Sequence, residues 1–327
     1  MNADLAHYVE RFSKLRTDSG KDKYPERTQH KAPHKPLLLL SVLDLAAQGS
    51  LTTNFIPVSP ELGDLFATYW TLTMQVDRAG NWSLPFFHLK SEGFWHLVPQ
   101  TGKQEALAAI RQIAGMGQLR ETVIGAQLDE ALYQLVCAEE SRNTLRTVLL
   151  EKYFQPELRD TLIEQAGVNQ AAYQYSQDLL QKVITSTDTA SFAPQPEQLA
   201  AVRDQGFRKA IVKAYDHRCV LCGIRLVTLD GLTAATAAHI IPWSVSYNDD
   251  PRNGLCLCRL CHWAFDVGLA TITTRYRVRL SQQMSSAGNI AGYLSTLDTR
   301  PIFEPQETLF NPDAHALSWH LANVFLS

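Results

Sequence analysis

Cysteine is scarce in this sequence and poorly spread for disulfides: there are six in 327 residues, and five of them fall between 219 and 261. A disulfide scaffold distributes its cysteines through a small secreted domain, so that class is excluded and such clustering points to metal first. Long apolar runs are missing as well. The four leucines Leu37–Leu40 are far short of the roughly 20 apolar residues that cross a bilayer. The opening residues MNADLAHYVERF lack the basic-then-apolar pattern of a secretion signal, and the expectation is a cytoplasmic protein with no membrane partner. What is present is ordinary for a folded chain: 45% apolar and 19% charged residues. At roughly 150 residues per domain, the length predicts two domains or one large one.

A net positive charge is also lacking, since the chain sums to −3. That value hides an asymmetry. Residues 1–40 carry eight basic and five acidic side chains, and residues 203–280 carry eleven and six, with no Glu among the six. The stretches between them are acidic. Two basic islands of this kind fit a chain that touches phosphate in two places.

Periodicity organises the first half. Pro36 suits a first helical turn and Gly49 a stop, with a broad apolar face between them. SPELGDLFATYWTLTM opens a second helix on Ser59 and Pro60. NWSLPFFHLKSEGFWHLV alternates apolar and polar residues around Ser91-Glu92-Gly93, which predicts two strands joined by a tight turn. From Gly102 to about Gln181 the pattern is helical, with Cys137 expected as a small core residue. The Thr-, Ser- and Pro-rich stretch from Thr185 to Gln198 is the linker candidate, and a helix bent or broken near Gly206 should follow it. The tail from Ser281 has no chemical reading.

Chemistry concentrates further on. Cys219-x-x-Cys222 and Cys258-x-x-Cys261 are two tight-turn pairs separated by 35 residues. Four thiolates so placed are the usual ligand set of a closed structural zinc site, whereas redox pairs or core cysteines are the competing reading. Cys256 lacks the two-residue spacing and is left out of the set.

Between and after these pairs lie AAHIIPW and DDPRNGLCLCRLCHWAFD. The order C-x-x-C, His239-Ile-Ile-Pro, Asn253-Gly-Leu, C-x-x-C-His262 and Phe265-Asp266 resembles the HNH endonucleases over about residues 207–275. The resemblance implies a ββα-metal domain. His239 would be the general base, Asn253 would hold the loop that aims it, and His262 with Asp266 would bind a catalytic Mg or Mn ion. The zinc would only hold the small unit together. Many members of that family place Asp or His immediately before the base, where this chain has Ala238, so either Asp266 or another carboxylate such as Asp230 supplies the ligand, or the metal is held loosely and partly by the DNA phosphate. His7, His96, His315 and His320 each read as surface or core residues.

The N-terminal half, through APHKPLLLL, LPFFHL and GFWHLV, resembles the DNA sulfur-binding domain of restriction endonucleases that act on phosphorothioate-modified DNA. Sulfur in place of a phosphate oxygen is larger and less hydrated, so apolar contact costs less there. By the resemblance, Leu84, Pro85 and His88 would form the surface that meets sulfur, His34 and Lys35 would lie on bases or phosphates, and Arg120 would reach the modified phosphate, with Arg111 as its competitor. Phe86, Phe87, Phe94 and Trp95 read as core.

The expected fold is α+β: a mainly helical N-terminal domain with a small hairpin or sheet (1–165), a helix and linker (166–200), the HNH domain with its zinc (201–285) and a C-terminal extension (286–327). The expected function is type IV-like restriction: recognition of phosphorothioate double-stranded DNA and hydrolysis of nearby phosphodiesters, by a homodimer because one site cuts one strand. An HNH nuclease that reads methylated or unmodified DNA, and a non-catalytic zinc-containing DNA-binding protein, are the alternatives.

Overall fold

The computed structural model describes residues 3–76, 80–185, 200–228, 231–286 and 288–327. The chain divides into two compact units, Met1–Gln170 with Thr228–Leu232, and Ala171–Val227 with Thr233–Ser327. Most of the linker candidate, and Asp230, lie outside the described residues.

The first unit is mainly helical. Its elements are α1 (Ala3–Ser13), α2 (His34–Ala47), β1 (Ile56–Pro57), α3 (Pro60–Met74), α4 (Ser83–His88), β2 (Trp95–Pro99), α5 (Gln104–Ala109), α6 (Met116–Thr122), β3 (Val123–Leu128), α7 (Glu130–Cys137), α8 (Glu139–Tyr153) and the first half of α9 (Pro156–Thr185). Helix α2 is buried all round from Lys35 to Leu45, which makes it the central helix of the unit. Ser59 caps α3 by accepting from the Leu62 N–H, with Pro60 at the first helical position, as the sequence predicts. The three strands form one antiparallel sheet in the order β1-β3-β2.

Two expectations are corrected here. The predicted hairpin around Ser91-Glu92-Gly93 does not form: its first arm is α4 followed by a 3-10 turn, and only the second arm, β2, is a strand, paired with β3. Pro85 removes a ladder donor, and Phe86 and Phe87 are buried side by side rather than alternately, so that segment winds instead of extending. Cys137 is exposed at the end of α7 rather than in the core.

A buried polar cluster ties the helices together. Asp44 on α2 accepts from Tyr69 on α3 and Asn169 on α9, each at 2.7 Å, and pairs with Arg146 on α8 at 2.8 Å. Burial pushes the Asp44 carboxyl up, and the Arg146 guanidinium opposes that shift.

The second unit holds the rest of α9, α10 (Ala200–Ala214), β4 (Ala235–His239), α11 (Trp243–Ser246), β5 (Gly254–Cys258), α12 (Arg259–Asp266), β6 (Ala270–Ile272), β7 (Val278–Leu280) and α13 (Ala314–Asn323). Strands β4 and β5 pair antiparallel, and α12 follows Cys258 directly, which completes the ββα arrangement. Gly206 does not break α10. A Cβ there would lie 2.8 Å from the Ala172 carbonyl oxygen and from the Tyr175 ring, so glycine admits α9 at close range.

Candidate functional site

The hairpin sets where the side chains go. His239 ends β4 opposite Gly254, the first residue of β5. Phe207 of α10 stacks on the His239 ring, with centroids 3.9 Å apart and planes 5° from parallel. A Cβ on Gly254 would meet Ile211 at 2.3 Å and Phe207 at 2.9 Å, so only glycine lets α10 seat its aromatic ring on the imidazole.

The ring is also oriented electrostatically. His239 Nε2 lies 2.8 Å from Asp249 Oδ1, and Asp249 is 0% exposed. The other carboxylate oxygen accepts from the Tyr175 hydroxyl at 2.9 Å and lies 3.8 Å from Arg203 Nε. Burial, followed by the Asp249 carboxylate, pushes the Tyr175 hydroxyl up, so it stays protonated and donates. A buried carboxylate that accepts this hydroxyl leaves Nε2–H of His239 as donor and Nδ1 as the free lone pair. Nδ1 has no hydrogen-bond partner among the described residues.

Asn253 fastens the loop between β4 and β5. Its amide donates to the carbonyls of Ile241 at 3.1 Å and Asn248 at 3.0 Å, and its Oδ1 accepts from the Ile241 N–H at 2.9 Å. These bonds close the loop that carries both His239 and Asp249.

Thr236, on the opposite face of β4 from His239, positions His262. Its Oγ1 donates to the Leu257 carbonyl at 3.0 Å and lies 2.7 Å from His262 Nδ1, so that nitrogen carries the proton and Nε2 is left as a lone pair. Nε2 in turn is 3.3 Å from Asp266 Oδ2, one helical turn on. An imidazole lone pair and a carboxylate oxygen facing each other at this distance suit a shared cation, and nitrogen-plus-oxygen donation suits a divalent one. Ala238 is buried on the Thr236 face of the strand and offers no ligand. No third Cys, His or carboxylate joins His262 and Asp266 among the described residues.

The four cysteines do converge. The sulfurs of Cys219, Cys222, Cys258 and Cys261 all lie within 4.8 Å of one another, and those of Cys222 and Cys258 are 3.7 Å apart. Tetrahedral zinc–sulfur bonds of ~2.3 Å put sulfurs about 3.8 Å apart, so the donor set fits that ion. The adjacent Cys219 pulls the Cys222 thiol down to about 7. Cys256 lies outside the cage, fully buried, and burial pushes its thiol up to about 12.

In the first unit α4 packs against both α2 and α6. Leu84 and His88 on α4 are both half-buried, and Arg120 lies on α6. Pro85 is buried. The His34 ring lies against Trp70, with centroids 4.7 Å apart and planes tilted by 52°, and burial lowers its imidazole. His88 is lowered too, by burial and then by Lys35 and Lys90. Lys35 departs from the expectation of a cation free for DNA: it is buried and ion-paired with Glu92. Arg120 is the opposite case, since its buried Nε and Nη2 have no hydrogen-bond partner.

Sequence reasoning missed Asp249, Tyr175, Arg203 and Phe207. The only signal was an acid pair, Asp249-Asp250, in the loop after the histidine. Nothing in sequence separates the two, although Asp250 turns out to cap its own loop and pair with Arg252.

Comparison with known families agrees with this division of the chain. A family model described as ScoMcrA-like, DNA sulfur-binding domain matches residues 6–171, and one described as HNH endonuclease matches residues 219–273. Four chains of solved structures match. One of them, a modification-dependent TagI restriction endonuclease, is 23% identical with a TM-score of 0.28, covering 42% of this chain and 45% of its own length. No curated protein matches.

Proposed function

This chain belongs to the ScoMcrA-like DNA sulfur-binding domain family and carries an HNH endonuclease domain behind that reader, and on this premise we propose a type IV-like restriction endonuclease that reads phosphorothioate-modified DNA and hydrolyses nearby phosphodiesters. The observation that carries the nuclease half is the oriented imidazole: a histidine whose Nε2–H is tied to a buried carboxylate and whose Nδ1 is free. His239 Nδ1 takes a proton from the attacking water, the water oxygen bonds to phosphorus, and the bond to the leaving alkoxide breaks. Asp249 stabilises the imidazolium so formed, and Asn253 holds the loop. His262 and Asp266 would hold Mg or Mn, which when bound stabilises charge on the phosphate and the leaving oxygen. The four cysteines would hold a structural zinc.

Arg120 supports the reader half. A buried guanidinium with two unpaired nitrogens is costly unless an anion completes it, and a phosphate does so bidentately. Leu84 on α4 offers apolar surface to sulfur, and His34 and His88 bring rings that burial shifts towards the neutral form. One such histidine site is present among the described residues, so cutting both strands in one encounter takes two copies, which supports a homodimer as the acting form.

Digestion of sulfur-modified and unmodified plasmids, with Mg, Mn or chelator, tests this. Cleavage of modified DNA alone, abolished by chelator and by His239→Ala, is expected. Equal cleavage of both plasmids would transfer the reader to methylated or ordinary DNA. Binding without cleavage in either metal would leave a zinc-containing DNA-binding protein.

A further inference from the structure

Strands β6 and β7 form a short antiparallel hairpin, Ala270↔Leu280 to Ile272↔Val278, most of which lies beyond the residues matched by the HNH model. Its sequence, ATITTRYRVRL, holds three arginines and no acid. Arg277 and Arg279 are exposed and flank buried Val278 in extended backbone, so they share one solvent face, and exposed Arg275 lies in the turn just before them, where Tyr276 has a φ of 54°. None of the three forms an ion pair among the described residues. Arg277 donates to the Thr299 carbonyl at 2.8 Å, and the Arg279 guanidinium lies 5.4 Å from the Phe325 ring centroid; both contacts leave the positive charge unneutralised.

The backing is rigid. The Tyr276 hydroxyl donates to the Pro312 carbonyl at 3.2 Å, and the Val278 and Ile302 N–H groups donate to Arg300 and Tyr276 carbonyls at 2.9 and 3.0 Å. The C-terminal segment, which had no chemical reading in sequence, thus braces this hairpin. The arginines border a shallow concavity of about 680 Å³ whose other polar lining includes Thr273, Thr274, Gln282 and Thr299. Its one carboxylate side chain, Asp298, is occupied in accepting from the Leu280 N–H at 2.9 Å.

We propose that this arginine face is a sequence-independent clamp for the DNA phosphate backbone, a contact surface of the nuclease unit separate from the histidine site and from the sulfur reader. The inference rests on DNA being the substrate. Arg277 and Arg279, two residues apart in extended backbone, are spaced by roughly 6–7 Å. Phosphates of one DNA strand recur about every 3.4 Å along the axis, so this pair covers about two of them and Arg275 in the turn adds a third cation beside it. Arginine forks with hydroxyl and amide neighbours match phosphate oxygens and carry no base readout.

The test is the salt dependence of duplex binding by the full-length protein, measured on sulfur-modified and unmodified oligonucleotides. The triple variant Arg275→Gln/Arg277→Gln/Arg279→Gln should lose about 2 to 3 from the log–log salt slope, at roughly 0.9 per phosphate contact, on both oligonucleotides alike. The corresponding triple Lys variant should retain the slope. Thermal unfolding of each variant confirms that the hairpin is intact. An unchanged slope in a folded Gln variant overturns the clamp and leaves the nuclease reading standing. Loss confined to sulfur-modified DNA also overturns it, and wild-type protein that binds no DNA at all removes both the clamp and the reading beneath it.

Discussion

The Asp249 carboxylate, entirely shielded from solvent, holds the His239 imidazole at 2.8 Å through Nε2. Without it the ring, still stacked on Phe207, has no acceptor for Nε2–H, and the proton is no longer fixed on that nitrogen. His239→Ala should lower DNA nicking by a factor of 10² to 10⁴, the usual worth of a general base. Asp249→Asn keeps the shape but can donate towards the ring, and it should cost on the order of 10²-fold or more by the same orientation argument. Tyr175→Phe removes one bond to the carboxylate and should cost far less, roughly 1 kcal/mol. Rates of plasmid nicking measure all three, and a rate for Asp249→Asn equal to wild type sinks the dyad.

The four-cysteine cage, read as a zinc site, leads to a separate prediction. Cys258→Ser removes one of four sulfurs that lie within 4.8 Å of one another, and metal binding in sites of this kind contributes on the order of 10 kcal/mol to folding. Metal analysis should show the bound zinc lost, with protease sensitivity confined to residues beyond about 200. Cys256→Ser leaves the donor set untouched and should retain the zinc. A Cys256→Ser protein that loses its zinc would mean the ligand set is misassigned.

The elements whose evidence is local were legible in sequence. The two C-x-x-C turns and the Ser59 cap each act within a few residues of their own position, so spacing identifies them, whereas the Asn253 staple reaches back to Ile241 and was implied only by the HNH resemblance. The α4 segment was misread because its alternating pattern is an accident of composition: Phe86 and Phe87 are both buried by the surrounding helices, which no local period records. Asp249 and Tyr175 were invisible for the same reason, since what defines them is the packing of α9 and α10 over the hairpin, and Gly206 and Gly254 permit it.

Lys35 separates a fold role from a DNA role. It is paired with Glu92 inside the first unit, where removing one partner strands a buried charge. Lys35→Ala should lower the stability of that unit by about 3 kcal/mol or more, and Glu92→Gln by a comparable amount. Arg120→Ala should do the reverse: it removes a guanidinium whose Nε and Nη2 are unpartnered, so stability should hold or rise while preference for sulfur-modified DNA falls. Chemical denaturation alongside oligonucleotide binding distinguishes them. A Lys35→Ala protein of unchanged stability and weakened DNA binding would restore lysine to the reading surface.

His320 gives the second unit a pH limit. On α13 it stacks on Phe265 of α12, with centroids 3.7 Å apart. Its ring nitrogens lie 2.9 Å from Thr271 Oγ1 and 3.1 Å from the Phe265 carbonyl. A neutral ring satisfies both, donating from Nε2 and accepting at Nδ1, whereas a protonated ring loses the acceptor. Burial accordingly pushes this imidazole down to about 4 from its ordinary 6.5. The unfolded chain therefore binds a proton that the folded one refuses. This contribution to stability is complete above pH 6.5, falls as pH is lowered through the window, and is gone below pH 4, a total of about 3 kcal/mol at ~1.4 kcal/mol per pH unit. Melting temperatures of wild type and His320→Gln across that range measure it: the variant should start lower and flatten the slope, and an identical slope in both proteins would assign the acid sensitivity to other groups.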